Sequence, residues 1–260
     1  FILNFIQMRI ITSCIVAFSM AFHLNAQVVE SDFQKLFDLY IMDKHEDCLF
    51  QSLKKMEKDK YRKSPKPYIY AARSSIKLMD NQEYLNEFPL TLKEAIRYGS
   101  KYVKYKNKTD NPEDYDLYYA EDIEMLRLKG LDEAEYYYHE SKFRKAAYYA
   151  KKVYQLAPED PRNQLLLGLA QLTRRNTREG KANVTEGLNN LSAEPADKDE
   201  ELLEKELEMI FYLIRACAIE LIEMNQNELV QSVLEDVSPI LTDKQQEQLE
   251  SEFDLEIAQG

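Results

Sequence analysis

An all-α fold is predicted by three features of the 260-residue sequence. Strand signals are nearly absent, with no Asn-Gly or Asp-Gly hairpin and no sustained alternation of apolar and polar residues. Apolar residues instead recur at helical spacing, as in Phe33, Leu36, Phe37 and Tyr40, and again in Leu92, Ala95, Ile96, Gly99, Tyr102 and Val103. Breaks in that pattern fall at Lys63–Pro67, Lys108–Pro112, Pro158–Pro161 and Ala193–Asp199, each with Pro or a polar cluster where a helix should stop. A 45% hydrophobic fraction with only 6 Gly and 8 Pro excludes a disordered or loop-dominated chain.

Along the chain, Met8-Arg9 opens a short positive region, and Ile10 to Leu24 then runs apolar and uncharged to Ala26-Gln27. This pattern predicts a secretory signal within residues 1–26, cleaved after Ala26, and it resembles the signal peptides of Bacteroidota. Export to the periplasm follows as the expected location. The alternative is a lipoprotein anchored at Cys14, although few residues separate Met8 from that cysteine. No other segment has the ~18 uninterrupted apolar residues that a membrane span needs. Residues 27–108 read as N-terminal helix pairs. One runs from Asp32 to Tyr61 with its turn near Asp43–Glu46, and a second from Pro67 to Lys106 is interrupted at Asn81–Pro89. Glu113–Lys129 reads as a helix leading into a repeat, and residues 109–195 hold that repeat. Residues 196–260 read as closing helices: Glu200–Met224, apolar almost all round from Met209 to Ile222, then Glu228–Ile240 and Asp243–Ile257. Asp160 and Asp199 are placed to cap the helices that follow them.

The most informative stretch is Ala134, Tyr137, Phe143, Ala146, Ala150, Val153, Leu156 and Pro158. Small residues at Ala134 and Ala146 allow two antiparallel helices to approach closely, Tyr137 and Phe143 fill the space between them, and Pro158 ends the second helix. A shift of 34 residues places Leu167-Gly168 on Glu133-Ala134, Gly180 on Ala146, Val184 on Ala150 and Gly187 on Val153. In these positions the chain resembles the tetratricopeptide repeat, a 34-residue helix–turn–helix. Gln171 stands where the family has Tyr, Thr177 where it has an aromatic, and Trp is absent. The resemblance implies an α-solenoid of stacked helix pairs whose concave surface binds a protein partner without catalysis.

Charge is unevenly spread. Residues 27–108 carry 17 Lys/Arg against 12 Asp/Glu, whereas residues 191–260 carry 4 against 19, and the whole chain stands at −12. That acidity argues against nucleic acid as a partner and leaves weak head-to-tail self-association as one consequence of the asymmetry. Tyrosine, with 18 copies and no Trp, is the expected contact residue. Tyr136, Tyr138, Tyr148 and Tyr149 are the candidates, with Tyr137 expected inside. Arg174, Arg175 and Arg178 at the turn between paired helices, and the Lys54–Lys63 cluster at a helix end, could meet an anionic protein, glycan or headgroup. A Tyr-rich groove binding a glycan or envelope polymer is the alternative function.

Catalytic chemistry has little to work with. Three His and three Cys starve most metal and thiol chemistries, and no P-loop, dinucleotide or nucleophile-elbow pattern occurs. His45, Asp47 and Cys48 lack a third orienting group, and His139 lacks the second His of a zinc protease helix. No catalytic residue, metal or cofactor is expected. Cys48 and Cys217 read as core residues on helices.

Overall fold

Twelve α-helices and one 3-10 turn make up residues 32–191 and 200–253, the part of the chain that the computed structural model describes, and no strand occurs among them. In order they are α1 (Gln34–Ile41), α2 (His45–Met56), α3 (Pro65–Leu78), the short α4 (Gln82–Glu87), α5 (Thr91–Lys106) and α6 (Glu113–His139). Then come α7 (Phe143–Leu156), α8 (Pro161–Thr173), α9 (Thr177–Asn190), α10 (Glu200–Glu223), α11 (Asn227–Val237), the turn Ser238–Ile240 and α12 (Asp243–Phe253). The signal segment, Cys14, the break at Ala193–Asp199 with its Asp199 cap, and residues 254–257 of the last expected helix lie outside the described residues. No described helix is long and apolar enough to cross a membrane.

Helix starts follow the local chemistry. Pro65 and Pro161 occupy the first turns of α3 and α8, where a missing N–H leaves no bond unmade. Asp160 caps α8 by accepting from Arg162 N at 2.9 Å, and Asn81 caps α4 by accepting from the amides of Glu83 and Tyr84. One expectation is corrected here. Glu113–Lys129 is not a separate helix leading into the repeat, because α6 runs unbroken to His139. Gly130 does not break it: a glycine inside a helix costs only about 1 kcal/mol relative to alanine, and here it lets α6 lie against Val153 of α7.

The same turn joins four helix pairs. Asp43, Ser141, Arg175 and Asn225 all adopt left-handed backbone, with φ of 57°, 55°, 67° and 56°, between α1 and α2, α6 and α7, α8 and α9, and α10 and α11. At each, the next residue donates its N–H back to a carbonyl five residues earlier: Lys44 to Leu39, Lys142 to Tyr137, Asn176 to Gln171 and Gln226 to Leu221. These bonds satisfy carbonyls that the helix end leaves open. None of the four residues is glycine, although only glycine reaches this region without a Cβ penalty. Ser141→Gly is therefore expected to raise stability by about 0.5–1 kcal/mol, a gain of roughly 1–4 °C in a thermal melt. An unchanged or lowered melting temperature would show that Ser141 is not strained there.

Packing within a pair is antiparallel and tight. Gly187 faces Leu165, Gly180 faces Leu172 and Gly168 faces Val184, an order that runs oppositely along α8 and α9. Two apolar cores result. The first joins α1–α3, α5, α6 and the end of α7 through Leu36, Ile69, Ile96, Tyr102, Leu126 and Leu156, and the second joins α6–α12 through Leu131, Ala134, Ala150, Leu169, Ile214 and Leu249. The division falls inside α6, between Leu126 and Leu131, and inside α7, between Val153 and Leu156, so these two helices belong to both cores. Cys48 lies in the first and Cys217 in the second, and both are buried free thiols.

Helix α10 runs parallel to α6 and covers it. Buried Arg127 of α6 bonds Glu206 of α10, lies 3.6 Å from the Asp160 carboxylate at the start of α8, and holds Glu124 through both oxygens at 2.8 Å. Further along, Lys205 bonds Asp132, and the Tyr138 and Tyr212 rings stack with centroids 4.6 Å apart. At the far end Arg175 bonds Glu220 at 3.0 Å and Glu223 at 3.3 Å. The nearly all-round apolar surface of α10, with Met209, Ile210, Phe211, Leu213 and Ile214 buried, is used against α6, α8 and α11.

Candidate functional site

The residues read as repeat-defining differ in burial. Ala134, Ala146 and Ala150 are fully buried, Leu167 is buried, Phe143 and Pro158 are half-buried, and Pro158 follows the end of α7. At Gly168, a Cβ would lie 2.6 Å from the Val184 amide nitrogen, so the small residue is required by close backbone approach.

The four contact tyrosines do not share one environment. Tyr138 is buried at 7% exposure and does not present a contact surface. Its place follows from the apolar stripe Ile123, Leu126, Gly130, Leu131 and Ala134, which at helical spacing continues to 138 rather than 137. Tyr138 accepts a hydrogen bond from Arg215 at 2.5 Å and stacks on Tyr212, and Arg215 in turn grips Glu252 with two bonds of 2.7 Å. Tyr137, expected inside, is only half-buried. Both corrections have one cause: α6 is rotated by one position relative to the repeat pattern read from the sequence.

Tyr136, Tyr137, Tyr149 and Tyr148 form a continuous ribbon of rings at the α6–α7 surface. Centroids are 5.2 Å apart for Tyr136–Tyr137, 5.6 Å for the stacked Tyr137–Tyr149 pair, and 5.2 Å for Tyr149–Tyr148. Tyr136 is 56% exposed and the other three are half-buried. Such edge-to-face and offset contacts hold the rings rigid at little entropic cost. Burial, and then Glu133, pushes the Tyr149 phenol up to about 12, so that ring is uncharged at neutral pH. Cations sit along it: Lys145 lies 5.0 Å from the Tyr137 centroid, and Lys93 and Lys152 each lie 5.7 Å from that of Tyr148.

The arginines also separate. Arg175 is engaged with Glu220 and Glu223 and ties the α8–α9 turn to α10. Arg178 is exposed on α9. Arg174 lines an open cleft of about 270 Å³ with Lys151, Ala147, Ala170 and Gln171. Glu179 at its edge accepts from Asn176 at 2.7 Å and from Gln171 at 3.3 Å. The Lys54–Lys63 cluster is partly consumed within the chain: Lys55 bonds the Asp32 carbonyl, Lys60 its carboxylate, and Arg62 bonds Asp59.

Cys48 is fully buried, donates to the Leu36 carbonyl at 3.4 Å, and has its thiol pushed up by burial, the opposite of an activated nucleophile. His45 lies 3.5 Å from Asp43, and His139 lies 3.6 Å from Glu135 and against the Tyr212 ring. Among the described residues no group of three His, Cys, Asp or Glu side chains is arranged to hold a metal ion. No family model matches the chain, and neither a curated protein nor a solved structure is similar to it.

Proposed function

We propose that this chain is a non-enzymatic scaffold of tetratricopeptide type, exported to the periplasm of a Gram-negative cell, that binds a protein partner of the envelope. The repeat reading is supported by the recurrence of one left-handed turn in four helix pairs, two of them, at Ser141 and Arg175, spaced by the 34 residues of that repeat. The binding reading is carried by the Tyr136–Tyr137–Tyr149–Tyr148 ribbon. Aligned, partly exposed tyrosines are poor core material and good interface anchors, since each offers large rigid area and a polar tip.

The partner surface on this reading is the α6–α7 edge. The inner faces of α6 and α8, which a stacked array offers as a concave groove, are here covered by α10. Tyr136, Tyr148, Tyr149, Arg174 and Arg178 remain as contact residues, and Tyr138 and Arg175 hold α10 in place.

Crosslinked affinity purification from the native envelope fraction tests the reading. A stoichiometric protein partner is expected, and Tyr136→Ala with Tyr148→Ala should reduce its recovery by about tenfold or more while circular dichroism stays unchanged. Recovery of the chain alone would sink the scaffold reading. A second reading, glycan binding, draws on the same ribbon: none of its four hydroxyls bonds another described residue, so all are open to a polyol. Co-elution with envelope polysaccharide and no protein would favour it.

A further inference from the structure

We infer that the face formed by α5 and α7 beside Tyr148 docks an extended acidic segment of a partner protein, with carboxylates at alternate residues. This rests on the scaffold reading and specifies the chemistry of what the scaffold holds.

The face is defined by a stripe of cations in an acidic protein. Lys93, Arg97, Lys101 and Lys104 stand at helical spacing on α5, and all four are exposed. Beside them on α7 are Lys151 and Lys152, and beyond Lys151 the cleft leads to Arg174. Tyr148 joins the two helices, since Lys93 of α5 and Lys152 of α7 flank its ring at the same 5.7 Å. Arg97 bonds Glu94 one turn back. Lys93, Lys101, Lys104, Lys151, Lys152 and Arg174 have no ion pair with any described carboxylate.

Gathering these cations raises the energy of the face. Lys152 is half-buried and donates to Gln155 at 2.8 Å. Its ammonium is held below the ordinary lysine range, first by burial and then by Lys151, Arg97 and Lys93. A chain of net charge −12 has carboxylates to spare for neutralising such a cluster, yet among the described residues Glu94 alone forms an ion pair with it, and Glu179 at the cleft edge is bonded to Asn176 and Gln171 instead. An external anion would relieve the repulsion.

Spacing along α5 and the turn across Tyr148 to α7 together select the form of that anion. Cations at i and i+4 of a helix stand about 6 Å apart along its axis. Carboxylates on one side of an extended segment, two residues apart, stand roughly 6.5 Å apart. The α5 stripe, eleven steps from Lys93 to Lys104, spans about 16 Å, which about five extended residues cover. A helical acidic segment with carboxylates four apart would meet the same spacing only after aligning its axis with α5, whereas an extended one can also turn across Tyr148 to Lys151 and Arg174.

A fluorescent decapeptide of alternating Glu and Ser, titrated into the full-length protein, tests the inference by anisotropy. Saturable binding is expected, weakened steeply between about 50 and 500 mM salt. Lys93→Glu with Lys101→Glu, both on exposed positions, should weaken it about tenfold or more with unchanged helicity. Lys54→Glu with Lys58→Glu, in the other basic cluster, should leave it within about twofold. Equal binding by the Lys93/Lys101 variant, or no binding at all, would overturn the inference. Binding of polygalacturonate but not the peptide would also overturn it, in favour of a glycan. Salt-sensitive self-association blocked by the Lys93/Lys101 variant, without peptide binding, would reassign the face to a second copy of the chain. Failure here with intact partner co-purification through Tyr136 and Tyr148 would remove this inference and leave the scaffold reading standing.

Discussion

Arg127→Met is expected to destabilise the fold by about 3–5 kcal/mol, measured as the loss in denaturant unfolding followed by far-UV circular dichroism. Arg127 is 2% exposed and Glu206 fully buried. The guanidinium bridges α6, the first residue of the α8 cap, and α10 through Glu124, Asp160 and Glu206. Removing it takes the guanidinium counter-charge away from the fully buried Glu206 carboxylate, and the cost of keeping that charge out of water sets the size of the effect. The double change Arg127→Met with Glu206→Leu should therefore recover most of the loss, because a well-packed apolar pair can replace a buried ion pair at little net cost. A single variant that lost less than about 1 kcal/mol would show that the site is wetter than its burial indicates.

That ion cluster also marks where sequence reading stops. Arg127 falls on the apolar stripe of α6, between Ile123 and Leu131, and Glu206 lies between Leu202 and Met209 on α10. A charge on an apolar face is a legible signal that something opposite neutralises it. Finding which residue does so needs the tertiary path of a helix 79 positions away. The helix pairs, their breaks and the small residues at Ala134, Ala146 and Gly168 were legible because each depends on local spacing. The four recurring turns were not, since Asp43, Ser141, Arg175 and Asn225 share a backbone angle and no side-chain type. The ribbon is half legible: the sequence marks Tyr136, Tyr148 and Tyr149 as candidates for one surface, but a one-position rotation of α6 puts Tyr138 in the core and Tyr137 in the ribbon. The cationic face of α5 and α7 is not legible in the sequence, because Lys93–Lys104 and Lys151–Lys152 belong to separate helices and neither alone stands out from an ordinary solvated helix.

Gly168→Ala should cost about 2–3 kcal/mol, while Gly130→Ala should stay within about 1 kcal/mol of neutral. Both glycines are buried in helices, and alanine would gain up to about 1 kcal/mol of helix propensity at either. The difference lies in what the new methyl meets. At Gly130 the nearest atom is a side-chain methyl of Val153 at 3.1 Å, which can give way. At Gly168 it is the Val184 backbone nitrogen at 2.6 Å, with the Gly180 carbonyl at 2.9 Å, so α9 as a whole must move off α8. That motion changes the angle at the α8–α9 turn, which carries Arg174 toward or away from Lys151 across the cleft. Gly168→Ala is thus expected to weaken binding of the acidic peptide as well, whereas Gly130→Ala, which leaves the turn untouched, should bind it normally. Measured together by unfolding and anisotropy, the two variants separate a small residue that lets helices meet from one that also aims the cations at their ligand.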